Sequence, residues 1–583
     1  MQSFVVFILV LVFFGCSKKD NFTEKTINLI SVEKFNGFDP IYAADLYSGN
    51  QIGKVYEGLL EYHYLKRPYE LVPNLAESMP VVSADGVTYT FKLRNDVFFH
   101  DSPCFPNGKG RKMTASDVVY SIKRVADPKL QSTGWWVIDG KLSGLNEWRE
   151  KYSQADVVNY SETVEGIKAI DEFTVQFKLK KPFPQFLYAL AMPFNFIVPH
   201  EAVEHFKQEF INYPVGTGAF ILPKFDRSNK IVFVKNPTFR EKFYPSEGTE
   251  DDLEKGLLTD AGKKLPLVDK IVVNIQTESQ PRWLAIQKGD ADALEIPKDN
   301  FDSAISSKKQ LNEEYAKKGM RLETSAQLDV TYIAFNHEDP IFKNSKIRQA
   351  MSLAFNHSEL NKLFYNDTGE QAQSIIPPGI AGHKEDFRNP YKTFDIAKAK
   401  KLMQEAGYPD GKGFPTLTYE TQSSTVQRQM AEHFVRTMKV IGINIKVNTN
   451  TWPEFINKTN KKQAQIFGMA WGADYPDAEN FFQLFYSGNR SPGSNSSNFS
   501  NSTVDQLFLQ SSVMQDSPER TAIYEKLYEV IALETPMIFG VHRMQFNIIQ
   551  GWLKNFKYME FNHTQAQYLN MDLEVKKELR KKF

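Results

Sequence analysis

Cysteine is nearly absent: 583 residues carry only Cys16 and Cys104. With Cys16 consumed at the leader, the one remaining thiol, Cys104, builds no Cys/His metal cluster. If Cys16 is consumed at the leader, as argued below, no intramolecular disulfide remains. An excess of charge of one sign is also missing. Seventy Lys and Arg balance seventy Asp and Glu, which argues against nucleic-acid binding, because phosphate contacts usually leave a basic surplus. No apolar run reaches the roughly 20 residues that span a bilayer. No repeat appears at a period of about 20–50 residues, which excludes solenoids and propellers. Gly-x-Ser-x-Gly elbows, P-loops and Gly-x-Gly-x-x-Gly turns are all lacking, and with them the usual hydrolase, ATPase and dinucleotide signatures. His200-Glu201 with His205 looks at first like a zinc-protease helix. Its histidines are five apart, whereas that motif needs i and i+4. The expectation is a protein that is not an enzyme and has no cofactor and no metal.

What is present begins with a leader. Phe4 to Gly15 is an unbroken apolar stretch ending at Cys16, followed by Ser17, Lys18, Lys19 and Asp20. That is the length of a signal-peptide core rather than of a membrane span. A small residue before a lone Cys resembles a bacterial lipobox, with Cys16 the lipidated first residue of the mature chain. Phe13 stands where Leu is usual, and no Lys or Arg precedes the run.

The rest is too long for one core, so at least two lobes are expected. Tyr89, Phe91 and Leu93 alternate with polar residues, as do Phe173 to Leu179 and Ile271 to Ile275, each a half-buried strand. Thr114 and Asp117 stand at capping-box spacing before Val118, Val119, Ile122 and Val125. Asp395 starts a second helix that stops at Gly407, and a third runs from about Lys346 to Ala354. The mixture predicts an α/β (mixed α+β) chain. Ser487 to Thr503, rich in Ser, Asn and Gly, reads as a solvated, mobile loop.

Several phrases, in order, resemble the peptide/nickel class of extracytoplasmic solute-binding proteins, family 5. They are Phe38-Asp39-Pro40, Tyr56-Glu57-Gly58-Leu59, Pro73 to Ser78, Gly216-Thr217-Gly218, Leu284 to Asp292, Ile347 to Ala350, and Trp471-Gly472-Ala473-Asp474-Tyr475-Pro476-Asp477. The resemblance implies a two-lobed periplasmic-binding-protein (venus-flytrap) fold with an extra domain inserted in lobe one. It would divide into 1–15 signal peptide, 16–26 lipid-anchor linker, 27–58 and 206–326 in lobe I, 59–205 inserted domain, 327–540 lobe II and 541–583 returning to lobe I. Function would be closure around a solute: a lipoprotein on the periplasmic or envelope side of a bacterial membrane, monomeric, delivering short peptides to an ABC permease and its ATPase subunits.

For peptide cargo the resemblance implies Asp474 as partner of the α-ammonium, with helix capping near Pro476 as the bland alternative. It makes Trp452 and Trp471 pocket walls, and the strand at Ala470 to Gly472 a place for the peptide backbone. Some relatives carry an Arg three residues before Trp471; here that residue is Gly468, so the carboxylate partner stays open. Arg543 and His542 are candidates for that positive charge. The alternatives are the same fold holding a nickel chelate, haem, an opine or an oligosaccharide, or a peptide-sensing surface lipoprotein without transport.

Overall fold

The computed structural model describes residues 23–31, 37–43, 45–226, 229–561 and 563–583. The expected signal peptide and lipidated Cys16 lie outside them. No helix among the described residues is long and apolar enough to cross a membrane.

Among the described residues, four sheets of three or more strands order the chain, beside three two-stranded ones. The first joins Thr26–Ser31 in parallel to Lys270–Ile275, then Lys230–Lys235 and Phe220–Asp226. The second is antiparallel and lies wholly within residues 81–178. A third places Met544–Ile549 between Ala293–Glu295 and Arg321–Ala326. The fourth has five strands in the order Ile445–Asn450, Leu417–Gln422, Ile466–Gly472, Asp329–Phe335, Met537–Phe539. The chain passes from the third sheet to the fourth between Ala326 and Asp329 and returns between Phe539 and Met544. The two crossings are clasped together: Gln327 N donates to Arg543 O at 2.8 Å, and Arg543 N to Asp329 Oδ1 at 3.1 Å. The result is a mixed α/β, two-lobed molecule with a paired hinge.

The predicted periodicities hold. Tyr89 and Phe91 are buried while Thr88, Thr90 and Lys92 are not, and Phe91 meets Phe177 edge to face at 5.9 Å. Thr114 and Asp117 close their capping box on Ala115–Ala126, with Val118, Ile122 and Val125 buried. Asp395 caps Ile396–Glu405, and Gly407 beyond it takes φ +93°.

The family phrases prove to be packing and charge devices. Glu57 is buried against Arg240, whose guanidinium forks onto both carboxylate oxygens at 2.7 and 2.8 Å. Asn74 accepts from the same guanidinium at 2.6 Å, and Thr217 donates to Glu57 at 3.0 Å. Asp39 pairs likewise with Arg124 at 2.8–2.9 Å, deep in the core. Gly216 and Gly218 lie so close to the Val55 carbonyl that a Cβ would meet it at 2.1 and 2.6 Å. Asp292 takes the indole N–H of the fully buried Trp552 at 2.6 Å.

One expectation needs correction. Residues 487–503 are not a solvated loop: Asn495, Ser497, Asn498 and Phe499 are buried. The Asn and Ser side chains satisfy inward-facing backbone. Asn495 Nδ2 donates to Tyr486 O at 3.1 Å and Phe499 O at 2.9 Å, and Asn498 to Asn336 Oδ1 at 3.2 Å.

Candidate functional site

The strand Ile466–Gly472 is covered on one side along its length by Asp329–Phe335. On the other side Leu417–Gln422 reaches only Ile466 and Phe467. Ala473 N donates to Leu328 O at 2.8 Å, which fixes the alternation of the ladder: Trp471 and Met469 direct their backbone groups toward Val330 and Tyr332. Ala470 and Gly472 therefore direct theirs at the other edge, which no described strand covers, and both residues are exposed.

Three cavities surround this edge. One, of about 640 Å³, is lined by Trp471, Asp474, Trp136, Phe194, Glu560 and Phe561 among others. It draws its walls from both sides of the hinge. A second, of about 450 Å³, shares Trp136, Met192, Gln483 and Asn489 with it and adds Lys141, Lys181, Tyr475 and Glu479. The third, of about 260 Å³, lies beside Ala470 under Trp452, Tyr419, Tyr365, Met430, Gln427 and Arg543.

Asp474 is held by Asn480, a fully buried residue absent from the sequence reading. Asn480 Nδ2 donates to Asp474 Oδ2 at 2.9 Å, while its Oδ1 accepts from Asp474 N at 3.0 Å and from the Trp471 indole at 3.1 Å. One amide thus sets the carboxylate and the tryptophan together. Burial pushes the Asp474 carboxyl above its usual range, against the Asn480 hydrogen bond. Asp474 caps no helix. The next one is Glu479–Phe482, and Asp477 accepts from its Glu479 N–H at 2.8 Å.

The other candidates divide. Trp452 is half exposed and stacks on Phe455 at 5.7 Å. Arg543 faces the same cavity, but its Nε donates to Asp329 at 2.5 Å, so its charge is already answered. His542 needs correction: it is buried, its Nδ1 lies 2.8 Å from the Asp329 carbonyl, and burial lowers it to about 3. A neutral ring turned into the hinge supplies no positive charge. A side chain at position 468 would meet the Tyr419 hydroxyl at 2.5 Å.

Sequence reasoning missed Asn480, Glu560 and Lys141. Lys141 is half-buried, donates to Trp136 O at 3.3 Å, and makes no ion pair among the described residues. No local spacing marks any of the three. Glu560 and Lys141 reach the cleft only because distant segments meet there, as Tyr188 does in stacking on Tyr475 at 5.6 Å and 9°.

Glu479, at this junction, gives a pH prediction. Burial, with Asp477 beside it, raises its carboxyl from 4.5 to about 7. The native state therefore keeps a proton that the unfolded chain releases between about pH 4.5 and 7. Stability should fall as pH rises through that window, by about 3 kcal/mol, and then level off. Glu479→Gln should remove this slope, read from urea midpoints at pH 5 and pH 8.

Comparison with known proteins places this geometry. Residues 70–493 match the model of the family described as bacterial extracellular solute-binding proteins, family 5 middle. The dipeptide-binding protein of Escherichia coli K12 is 26% identical over 91% of this chain and 92% of its own length. Heme-binding protein A of Haemophilus influenzae is also 26% identical, over 92% and 90%. Among solved structures, the Helicobacter pylori periplasmic binding protein DppA in complex with the peptide STSA superposes with TM-score 0.69 at 23% identity, covering 94% of this chain and 98% of that one. With the family matched across most of its length and the two-lobed fold in common, this chain belongs to the family 5 bacterial extracellular solute-binding proteins.

Proposed function

We propose that the protein is the substrate-binding lipoprotein of an ABC importer, capturing short peptides between its lobes and passing them to a permease with separate ATPase subunits. In this reading residues 27–58, 206–326 and 541–583 form lobe I, 59–205 its inserted domain and 327–540 lobe II. Cys16 carries the lipid after a signal peptide over 1–15, residues 16–26 tether the molecule to the membrane, and it works as a monomer. The observation that carries the reading is the uncovered edge at Ala470 and Gly472, flanked by side-chain cavities and ending near Asp474. An extended peptide laid on that edge satisfies its amides without reading sequence. Its α-ammonium meets a carboxylate that burial has made costly to leave unpaired.

Peptide-binding relatives support this cargo. Haem, the ligand named for another relative, fits less well. The cavity at Asp474 has three carboxylates and no Lys or Arg among its described lining residues, which disfavours a porphyrin with two carboxylates of its own.

Thermal shift tests the reading. Free tri- to pentapeptides at a hundred times Kd should stabilise the protein by about 2.7 kcal/mol. N-acetylation of the peptides, or Asp474→Ala, should abolish most of the shift. Stabilisation by a sugar, chelate or haem, and by no peptide, would overturn the assignment.

A further inference from the structure

The carboxylates of the Asp474 cavity outnumber what one α-ammonium can answer. Asp474 presents Oδ1 with no hydrogen-bond partner among the described residues, its Oδ2 being held by Asn480. Glu560 enters from the opposite side of the hinge. Its Oε2 accepts from Leu328 N and from the Tyr558 hydroxyl, each at 3.3 Å, and its Oε1 has no described partner. The Leu328 contact ties this carboxylate to the first lobe crossing. Asp45 adds a third negative charge at the rim, its oxygens committed to Ser48 at 2.7 and 2.8 Å. Arg543, whose field reaches Glu560, is already forked onto Asp329. Burial holds both Asp474 and Glu560 above the ordinary carboxylate range. The same cavity is lined by Trp136, Trp471, Phe194 and Phe561, flat walls suited to an alkyl stem that ends in a cation.

We infer that this end of the cleft selects cargo with a second positive charge beside its α-amino group, namely peptides whose first residue is Lys or Arg. The α-ammonium goes to Asp474 and the side-chain cation to the free oxygen of Glu560. The inference rests on the peptide reading above and narrows it. A neutral first residue leaves Glu560 as an unanswered charge in a closing site, and an acidic one adds repulsion.

Isothermal titration of the whole protein decides the point, using Ala-Ala-Ala, Lys-Ala-Ala, Lys-Ala-Ala acetylated at the side-chain amine, and Glu-Ala-Ala. Lys-Ala-Ala should bind about tenfold or more tightly than its side-chain-acetylated form. Glu-Ala-Ala should bind weakest. In Glu560→Gln the ratio of the two lysine peptides should shrink to about threefold or less. Should that variant not fold, the wild-type ratio still decides. Equal affinity across the series would overturn this inference and leave the peptide reading standing. Binding of none of the four would overturn both.

Discussion

Replacing Arg240 with methionine is expected to destabilise the protein by about 3–5 kcal/mol, read as a large drop in the urea midpoint. Glu57 is 1% exposed and Arg240 7%. Burial pushes the Glu57 carboxyl up, and the Arg240 guanidinium foremost, with Lys242 and Thr217, reverses this and holds it below its ordinary value. Without the guanidinium, Glu57 loses both forked hydrogen bonds, Asn74 loses a donor, and only Thr217 and the more distant Lys242 remain nearby. The penalty is that of an uncompensated buried charge rather than the worth of the pair. The double substitution Arg240→Met with Glu57→Leu should therefore recover much of the loss, because apolar residues of similar volume often replace such pairs at little cost. If the double variant is as unstable as the single, the damage comes from packing and not from charge.

The second large effect concerns binding alone. Ala470→Pro should weaken peptide binding by about 10–100-fold while changing stability little. The Ala470 N–H points to the uncovered edge, so its loss removes no bond of the ladder with Asp329–Phe335. Proline is tolerated on such edges because the missing donor faced solvent. A bound peptide would feel the change directly. One of its carbonyls would lose a donor inside a closed cleft, a desolvation cost of about 1–3 kcal/mol. Titration and melting on the same preparation separate the two quantities. An unchanged affinity would mean that the peptide backbone does not lie on this strand.

Much of the scaffold is legible in the sequence because its signals are local. The strand at Tyr89, the capping box at Thr114 and the helix stop at Gly407 each depend on residues within a few positions, and each is found where its spacing places it. The site is legible only in part. Asp474 and Trp471 belong to one short phrase and can be read from it. Asn480, which fixes both, sits six residues beyond Asp474 on the short helix Glu479–Phe482, a spacing that no pattern marks. His542 and Arg543 are neighbours in the chain, yet alternation along the backbone turns one into the hinge and the other to the cavity. The Ser487 to Thr503 segment misleads for a different reason. Asn and Ser signal polarity, and polarity serves equally well to fill buried hydrogen-bonding positions as to face water.

The position of Met544–Ile549 governs the order in which the molecule is completed. This strand is the middle member of its sheet, between Ala293–Glu295 and Arg321–Ala326, yet it is the last of the three to be synthesised. Asp329–Phe539, by contrast, holds all five strands of its own sheet without interruption. A nascent chain ending before Met544 has every strand of the five-stranded sheet, while Ala293–Glu295 and Arg321–Ala326 lack their common partner. Structural units form once their parts are present, so the five-stranded sheet should form first, and the last forty residues should decide when the three-stranded sheet is completed beside it.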